Sequence, residues 1–225
     1  MGCLKTNFLT KSAVLMKIHE IVTKSFSDIF EKKLQNEICN YGVLKYAEPD
    51  QIISEIRREL KFIPIIISGI VKVMRRDGKG NGILLHYLSE NQISAILVTY
   101  ALENKKSEIR LKATSNVMYI AVPSKIVNSW FLKFNSWRSF YLKANQQQTS
   151  FLIENINDIA FENLEFRVSK YLEQTSLMYN DNTIALKHFD IARDLKVSRE
   201  AVSRILKKLE KEEILSLGRN KITLN

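Results

Sequence analysis

The chain lacks the features that mark membrane proteins, secreted proteins and metal centres. It has only two cysteines among 225 residues, Cys3 and Cys39. Because they lie far apart and lack the spacing of metal ligands, we expect two reduced thiols and no metal site. No run of about 18 apolar residues predicts a membrane span, and the start of the chain lacks the apolar core of a secretory signal. These absences predict a cytoplasmic protein.

Catalytic signatures are also missing. The sequence has no nucleophile elbow, no P-loop and no paired carboxylates in a cleft-like context. The single histidines His19 and His86 are typical of packed or surface residues rather than haem ligands. We therefore expect no enzyme activity, no catalytic residues and no cofactor.

Acidic residues are scarcer than basic ones. The chain has 24 Asp and Glu against 34 Lys and Arg, which gives a formal net charge of +10. Such an excess favours a polyanionic partner, although it is spread along the chain and does not locate a binding surface. With 45% hydrophobic residues, the chain can bury real cores, and its length fits two domains.

Helical and β-rich segments alternate along the chain. Residues 11–40 have helical spacing without Gly or Pro, which predicts one or two helices. Between residues 42 and 122, short apolar runs alternate with turn signals, a pattern typical of a small β-barrel or β-roll. The strongest hairpin signal is the Gly- and Asn-rich segment 77–82. The predicted strands are 64–67, 69–74, 83–88 and 117–122.

A long helix is predicted over residues 137–159, which contain no Gly or Pro. Side chains three or four residues apart form one stripe along it. Two interpretations remain open, since the stripe either packs on its own domain or forms a seam between the subunits of a homodimer. This candidate dimer seam consists of Trp137, Tyr141, Ala144, Gln148 and Phe151.

Residues 183–225 carry the most informative pattern. A short strand at 183–186 precedes a helix at 188–195 and a tight turn, and Ser198 is a good N-cap for a second helix that runs to about residue 212. Residues 214–217 and 221–224 then predict a β-hairpin wing. This order of elements predicts a winged helix-turn-helix.

The second helix of this motif has an apolar side and a charged side. Arg199, Glu200 and Ser203 lie near its N-terminus and Arg204 lies one turn further along, where a recognition helix presents side chains to base edges. Arginine can bind guanine through two hydrogen bonds and a carboxylate can accept one from cytosine. Glu200 also fits as an orienting partner of the two arginines. The same helix and the wing offer candidate phosphate contacts at Lys207, Lys208, Arg219 and Lys221.

At residues 197–210 the sequence VSREAVSRILKKLE resembles the Crp/Fnr family of bacterial transcription regulators. The recognition helix of that family reads Ser-Arg-Glu-x-Val-x-Arg-x-Leu/Ile-x-x-Leu in the same register. The resemblance implies base contacts from Arg199, Glu200 and Arg204 and a phosphate contact near Ser198. Family members usually cap the first helix of the motif with Thr or Ser, where this chain has Lys187; Lys187 and its neighbour His188 are candidate phosphate contacts instead.

The order of the segments resembles that family too. It implies an α+β fold with a β-roll sensor domain (a double-stranded β-helix, jelly-roll-like) at 1–136, a dimerisation helix at 137–159 and a winged helix-turn-helix DNA-binding domain at 160–225. The implied partners are double-stranded operator DNA, a second copy of the chain and RNA polymerase.

The cyclic-nucleotide signature of the family is missing from the sensor half. Members that bind cyclic AMP hold the ribose with a Gly-Glu pair and the phosphate with an Arg-Ser or Arg-Thr pair. With Ala113 aligned to the end of that signature, these positions hold Ile96-Leu97 and Ser107-Glu108. Shifting the register to use Arg110 leaves Leu111 in place of the hydroxyl residue. We therefore expect no response to cyclic AMP. The apolar segment 93–102 either lines a pocket for an unidentified small-molecule effector or fills the space of the nucleotide.

A winged helix that contacts another protein is the alternative to a DNA reader. The charged face of residues 199–208 argues against it, because the cores of protein interfaces are depleted in charge. Within the DNA-binding hypothesis, both a constitutive regulator and one that answers a small molecule agree with the sequence.

Overall fold

Strands and helices alternate along the chain in the computed structural model, which describes residues 16–76 and 82–225. The chain divides into two compact units, Met1–Val73 with Tyr87–Thr149 and Met74–His86 with Ser150–Asn225. Cys3, the first predicted helical residues at 11–15 and most of the predicted hairpin turn at 77–82 lie outside the described residues. Among the helices described, none is long and apolar enough to cross a membrane.

Two helices precede the first strand, as the helical spacing predicted. They are α1 at residues 16–26 and α2 at Lys32–Tyr41. Between them, the rings of Phe26 and Phe30 stack with their centroids 4.9 Å apart. Phe30 also lies 6.1 Å from the ring of Trp137, and all three side chains are buried. These aromatic contacts hold the N-terminal helices on the first unit.

The β-rich segment contains seven strands in its described part. They form two sheets with the strand orders β1-β7-β3 and β2-β6-β4-β5, and β7 runs antiparallel to both of its neighbours. The predicted strands correspond to β3, β4, β5 and β7, whereas the other three were not predicted. The α+β class is confirmed. The strands are β1 (Val43–Ala47), β2 (Ile52–Ser54), β3 (Phe62–Ser68), β4 (Val71–Arg76), β5 (Gly82–Leu88), β6 (Ile109–Ala113) and β7 (Val117–Pro123).

The apolar segment 93–102 contains the helix α3 (Ala95–Leu102). The Ser94 hydroxyl caps it by accepting a hydrogen bond from the Leu97 N–H. Most of the apolar side chains of this segment are buried, at 6% exposure or less, namely Ile93, Ala95, Leu97, Val98 and Ala101. After β7 follow α4 (Ser124–Lys133) and the long helix α5 (Asn135–Phe161).

The stripe proposed as a dimer seam on α5 is directed inward along its first part. Trp137 is fully buried and Ala144 is 9% exposed, while the Tyr141 hydroxyl shares a 2.8 Å hydrogen bond with the hydroxyl of Thr99. The buried amide of Gln148 accepts from the Ala95 N–H and donates to the Ile93 carbonyl, at 3.0 and 2.7 Å.

The seam prediction is therefore corrected for these four residues. Their side chains are already engaged within the first unit, so they cannot also cover a second subunit. Packing on the chain's own domain, the other interpretation of the stripe, is the right one for them. The fifth residue, Phe151, is half-buried.

The second unit contains the predicted winged helix-turn-helix. Its sheet has the order β8-β10-β9, and both neighbours of β10 pair with it antiparallel. Apolar side chains from the three helices and the sheet form one buried core, which includes Leu172, Ile191, Leu206 and Ile222. The elements are α6 (Leu164–Tyr179), β8 (Thr183–Ile184), α7 (His188–Leu195), α8 (Arg199–Lys211), β9 (Leu215–Gly218) and β10 (Lys221–Leu224).

His86 in β5 is a buried polar residue without a hydrogen-bonding partner. Its side chain is 2% exposed, and neither ring nitrogen is hydrogen-bonded to any described residue. Burial without a compensating charge disfavours the imidazolium, and it lowers the pKa of His86 from 6.5 to about 4. The ring is therefore neutral in the folded protein at pH 7.

We predict that His86 makes the fold sensitive to acid. Since the pKa of His86 is about 4 in the folded chain and near 6.5 when unfolded, the unfolded state binds more protons below pH 6.5. Stability is therefore highest above pH 6.5 and falls towards pH 4, by about 3 kcal/mol for this residue. Urea unfolding at pH 7 and pH 4.5 should show a smaller acid loss for His86→Leu than for the wild type. His19→Gln, which alters an exposed histidine, should behave as the wild type, and an unchanged acid loss in His86→Leu would contradict this role.

Candidate nucleic-acid interface

The turn between α7 and α8 is built from backbone geometry. Helix α7 ends at Lys196, whose φ of 58° lies in the left-handed region. The N–H of Val197 then donates to the Ala192 carbonyl at 3.0 Å. Ala192 is buried and small, so the chain turns closely over α7 before α8 begins.

The two helices begin differently. Ser198 caps α8, because its hydroxyl accepts from the Ala201 N–H at 3.1 Å, as the sequence predicted. Lys187, at the N-cap of α7, makes no such side-chain hydrogen bond. The absence of a capping side chain costs about 1 kcal/mol of helix stability, and the Lys187 side chain is left exposed.

The inner face of α8 fixes its orientation. Val202, Leu206 and Leu209 are at most 2% exposed and belong to the core of the second unit. They recur at three- and four-residue spacing, so the opposite side of the helix must face solvent.

The outer face of α8 consists of Arg199, Glu200, Arg204 and Lys207, all exposed. Within the described residues 16–76 and 82–225, none of these four side chains forms a hydrogen bond or an ion pair. The expected pairing of Glu200 with the two arginines is therefore not present. Three cations and one carboxylate project from the first two turns and a half of the helix with their hydrogen-bonding groups free for a partner.

Ser203 is engaged within the motif. Its hydroxyl shares a 2.8 Å hydrogen bond with Nδ1 of His188, the first residue of α7. Both side chains are half-buried. Burial lowers the pKa of His188, and the positive charges of Arg199 and Lys207 lower it further.

Lys208 does not share the outer face with Lys207. Its ammonium donates to both carboxylate oxygens of Glu165 in α6, at 2.8 and 2.7 Å, and it lies 3.8 Å from the carboxylate of Glu212. The hydrogen bond with Glu165 raises the pKa of Lys208. Its placement among the phosphate contacts is therefore corrected, because this cation already has a carboxylate partner.

The wing is attached to the end of α8. The Glu210 carboxylate accepts from the Leu217 N–H at 2.9 Å. At the tip, Asn220 has a φ of 59°, a left-handed conformation that Asn adopts more readily than most residues. Arg219 and Lys221, on either side of it, are exposed. Together with the outer face of α8, the wing brings five free cations to the second unit.

Helix α6 holds α7 in place through contacts that the sequence analysis missed. The Tyr171 hydroxyl donates to the buried carboxylate of Asp194 at 2.7 Å, and the Arg167 guanidinium donates to the Leu195 carbonyl at 3.0 Å. An acidic residue at an inward position, three residues after Ile191, was the available signal for the first of these contacts.

The sensor positions contain a different set of partners from a cyclic-nucleotide site. Arg110 forms a two-point ion pair with Glu55, at 2.9 and 2.6 Å. The Ser107 hydroxyl is fully buried and bonded to the backbone of Ile109. Leu97, at the expected carboxylate position, is buried in the core.

Comparison with known proteins identifies the C-terminal part of the chain. Residues 167–225 match the Crp-like helix-turn-helix domain. No curated protein sequence matches the chain.

Solved structures match most of the chain. A regulator of the Crp/Fnr family from Eubacterium rectale is similar with 18% identity and a TM-score of 0.76, over 86% of this chain and 90% of the other. The c-di-GMP-responsive global regulator CLP of Xanthomonas campestris has 13% identity and a TM-score of 0.73, over 86% and 99%. A Crp/Fnr-family regulator from Thermus thermophilus has 15% identity and a TM-score of 0.69, over 81% and 93%.

The family resemblance found in the recognition helix is thus confirmed. Residues 167–225 are a Crp-like helix-turn-helix domain, and the chain as a whole has the fold of the Crp/Fnr family of transcriptional regulators.

Proposed function

We propose that the protein is a homodimeric, sequence-specific regulator that reads the major groove of DNA with Arg199, Glu200 and Arg204. The observation that carries this proposal is the outer face of α8, whose charged side chains have no partner among the described residues. A solvated surface helix gains from pairing such charges along its own face, whereas a reader needs them free. The three side chains also lie in the first two turns of the helix, the part that enters the groove.

Phosphate contacts are assigned to the cations around this reading face. Lys207 follows Arg204 along the helix, while Arg219 and Lys221 lie on the wing. Ser198 and His188, at the starts of the two helices, complete the set. Each neutralised phosphate releases counterions, so these contacts supply affinity for DNA of any sequence.

Arg204→Ala tests the base-reading role. We expect a loss of about 1–3 kcal/mol in binding free energy and a relaxed preference at one base pair of each half-site. Operators selected from a random duplex library by the wild type should be palindromic, with half-sites about 34 Å apart. The same selection with the variant should blur one position per half-site. An equal loss of affinity on all sequences would show that Arg204 contacts phosphate instead.

Lys207 and Lys208 form a matched pair for the phosphate contacts. Lys207→Ala should weaken binding to every sequence and lower the salt dependence by about 0.9 per contact in the slope of log K against log salt. Lys208→Ala should leave that slope unchanged, because its ammonium binds Glu165. Binding titrations at several salt concentrations measure both, and equal slopes for the two variants would contradict the assignment.

The dimer interface is assigned to the other side of α5 from the stripe first considered. Leu142, Thr149, Ile153, Ile156 and Ala160 recur at spacings of seven, four, three and four residues, which places them on one face of the helix. The three large apolar members are 61%, 54% and 64% exposed in the monomer. A second copy of α5 packed along this face would bury them and form a two-stranded seam.

Ile156→Glu tests this interface. The carboxylate would be buried against its symmetry mate without a partner, so we expect the dimer to weaken by about tenfold or more. Sedimentation equilibrium measures the change. Leu177→Glu is the matched control, since Leu177 is 81% exposed on α6 and should leave the dimer intact. A dimer of unchanged strength in Ile156→Glu would move the interface elsewhere.

In the sensor half, we propose that cyclic AMP is not the effector. Arg110, the one arginine near the expected phosphate position, is bound to Glu55, and Glu108 would repel a phosphate. The buried side chains of α3 occupy the segment where family members hold the ribose. A constitutive regulator, or one that answers another small molecule, fits these residues better.

A further inference from the structure

His188 and Ser203 form a contact between the two helices of the DNA-binding motif. They lie 15 residues apart in sequence, and Nδ1 of the imidazole is 2.8 Å from the serine Oγ. Ser203 lies on α8 between Arg199 and Arg204 and next to the reading face. The ring is therefore held beside the surface that the proposed function assigns to DNA, at the position of one of its phosphate contacts.

The surroundings of His188 favour the neutral ring in the free protein. Burial lowers its pKa, and two cations of α8, Arg199 and Lys207, lower it further. Lys187, the residue that precedes it, adds another positive charge. A histidine has an ordinary pKa close to neutrality, so such an environment leaves it uncharged at pH 7.

Carboxylates on the neighbouring elements do not offset these cations. On α7 itself, the Asp190 carboxylate is bound by Arg193 at 2.8 Å. Helix α6 contacts α7 at its far end, through Asp194 and the Leu195 carbonyl. Among the described residues, the ring of His188 has one hydrogen-bonding partner, the hydroxyl of Ser203.

We propose that His188 is a proton-linked phosphate contact: a DNA phosphate docks beside the ring, and the ring takes up one proton from solvent as it does so. In the imidazolium both nitrogens carry a proton. Nδ1–H then donates to the Ser203 Oγ, and Nε2–H donates to a phosphate oxygen. Ser203 is accordingly a positioning residue that holds the ring, and not a contact to a base. This inference rests on the proposed DNA-binding function.

Two effects of the phosphates drive the protonation. The negative charge next to the ring stabilises the imidazolium directly. Phosphates that bind Arg199 and Lys207 also offset the two positive charges that oppose protonation in the free protein. Because the complex holds more protons than its parts, affinity for DNA must rise as the pH falls. A shift of one pKa unit on binding corresponds to a change of about tenfold in affinity.

The test uses a fluorescein-labelled DNA duplex of random sequence, since a phosphate contact does not depend on the bases. At constant salt, the wild type should bind about tenfold more tightly at pH 6 than at pH 8. His188→Gln should bind weakly with a flat pH profile, and His188→Arg, a permanent cation, should bind tightly with a flat profile. His19→Gln, at an exposed histidine of α1, is the matched control and should keep the wild-type profile.

Two further measurements examine the ring and the serine. The NMR titration of the His188 ring protons should give a higher pKa in the DNA complex than in the free protein. Ser203→Ala should reduce the pH dependence while leaving the base preference of the selected operators unchanged. A relaxed base preference with an unaltered pH profile would overturn the positioning role and restore Ser203 as a base contact.

The outcomes separate this inference from the proposed function. Binding by the wild type with the same pH profile as His188→Gln overturns the proton-linked contact and leaves the DNA-binding function intact. Failure of the wild type to bind any duplex from pH 6 to pH 8 overturns both.

Discussion

The burial of one apolar stripe on α8 is the constraint on which the DNA-binding face depends. Val202, Leu206 and Leu209 have no other way to leave water than to join the core of the second unit, and this fixes the rotation of the helix about its axis. Once the rotation is set, every other side chain of α8 has a fixed direction. The charges of the outer face project outward because the apolar residues pack inward, and no separate interaction is needed to orient them.

Neighbouring lysines show how sharply this rotation sorts the side chains. Lys207 and Lys208 are equivalent in composition and adjacent in sequence, yet they lie 100° apart around the helix. The first remains on the open face, whereas the second reaches Glu165 on α6. The same pair of helices that presents the reader therefore also withdraws one of its cations, and the basic charge of the helix overstates the charge that a phosphate would meet.

The sequence predicts those parts of the fold whose signal is local. Strands β3 and β7 are continuous apolar runs, and α8 combines a serine cap with strict helical spacing, so each is visible within a dozen residues. Strand β6 has an equally local signal, since Ile109 and Leu111 alternate with charged residues in the manner of a half-buried strand, but its short length obscured it. Strand β2 has three residues and no comparable pattern.

The candidate site was predictable as a helix face and not as a set of contacts. The spacing of Arg199, Glu200 and Arg204 puts them on one face of any α-helix. The bond between His188 and Ser203 joins two helices, and the ion pair of Lys208 joins α8 to a residue 43 positions earlier. Such contacts depend on how the helices cross, which periodicity does not specify. For the same reason, the stripe on α5 identified a packed face correctly but not what it packs against.

Gln148 shows what a single buried amide requires of the chain. Its side chain accepts from one backbone group of the α3 segment and donates to another, which a carboxylate, having no N–H, and a leucine, having no polar atom, cannot both do. Glutamines also occupy the two preceding positions, and those side chains are exposed. Over evolutionary time Gln146 and Gln147 are expected to drift freely among polar residues, while the third glutamine of the run is confined to almost one amino acid.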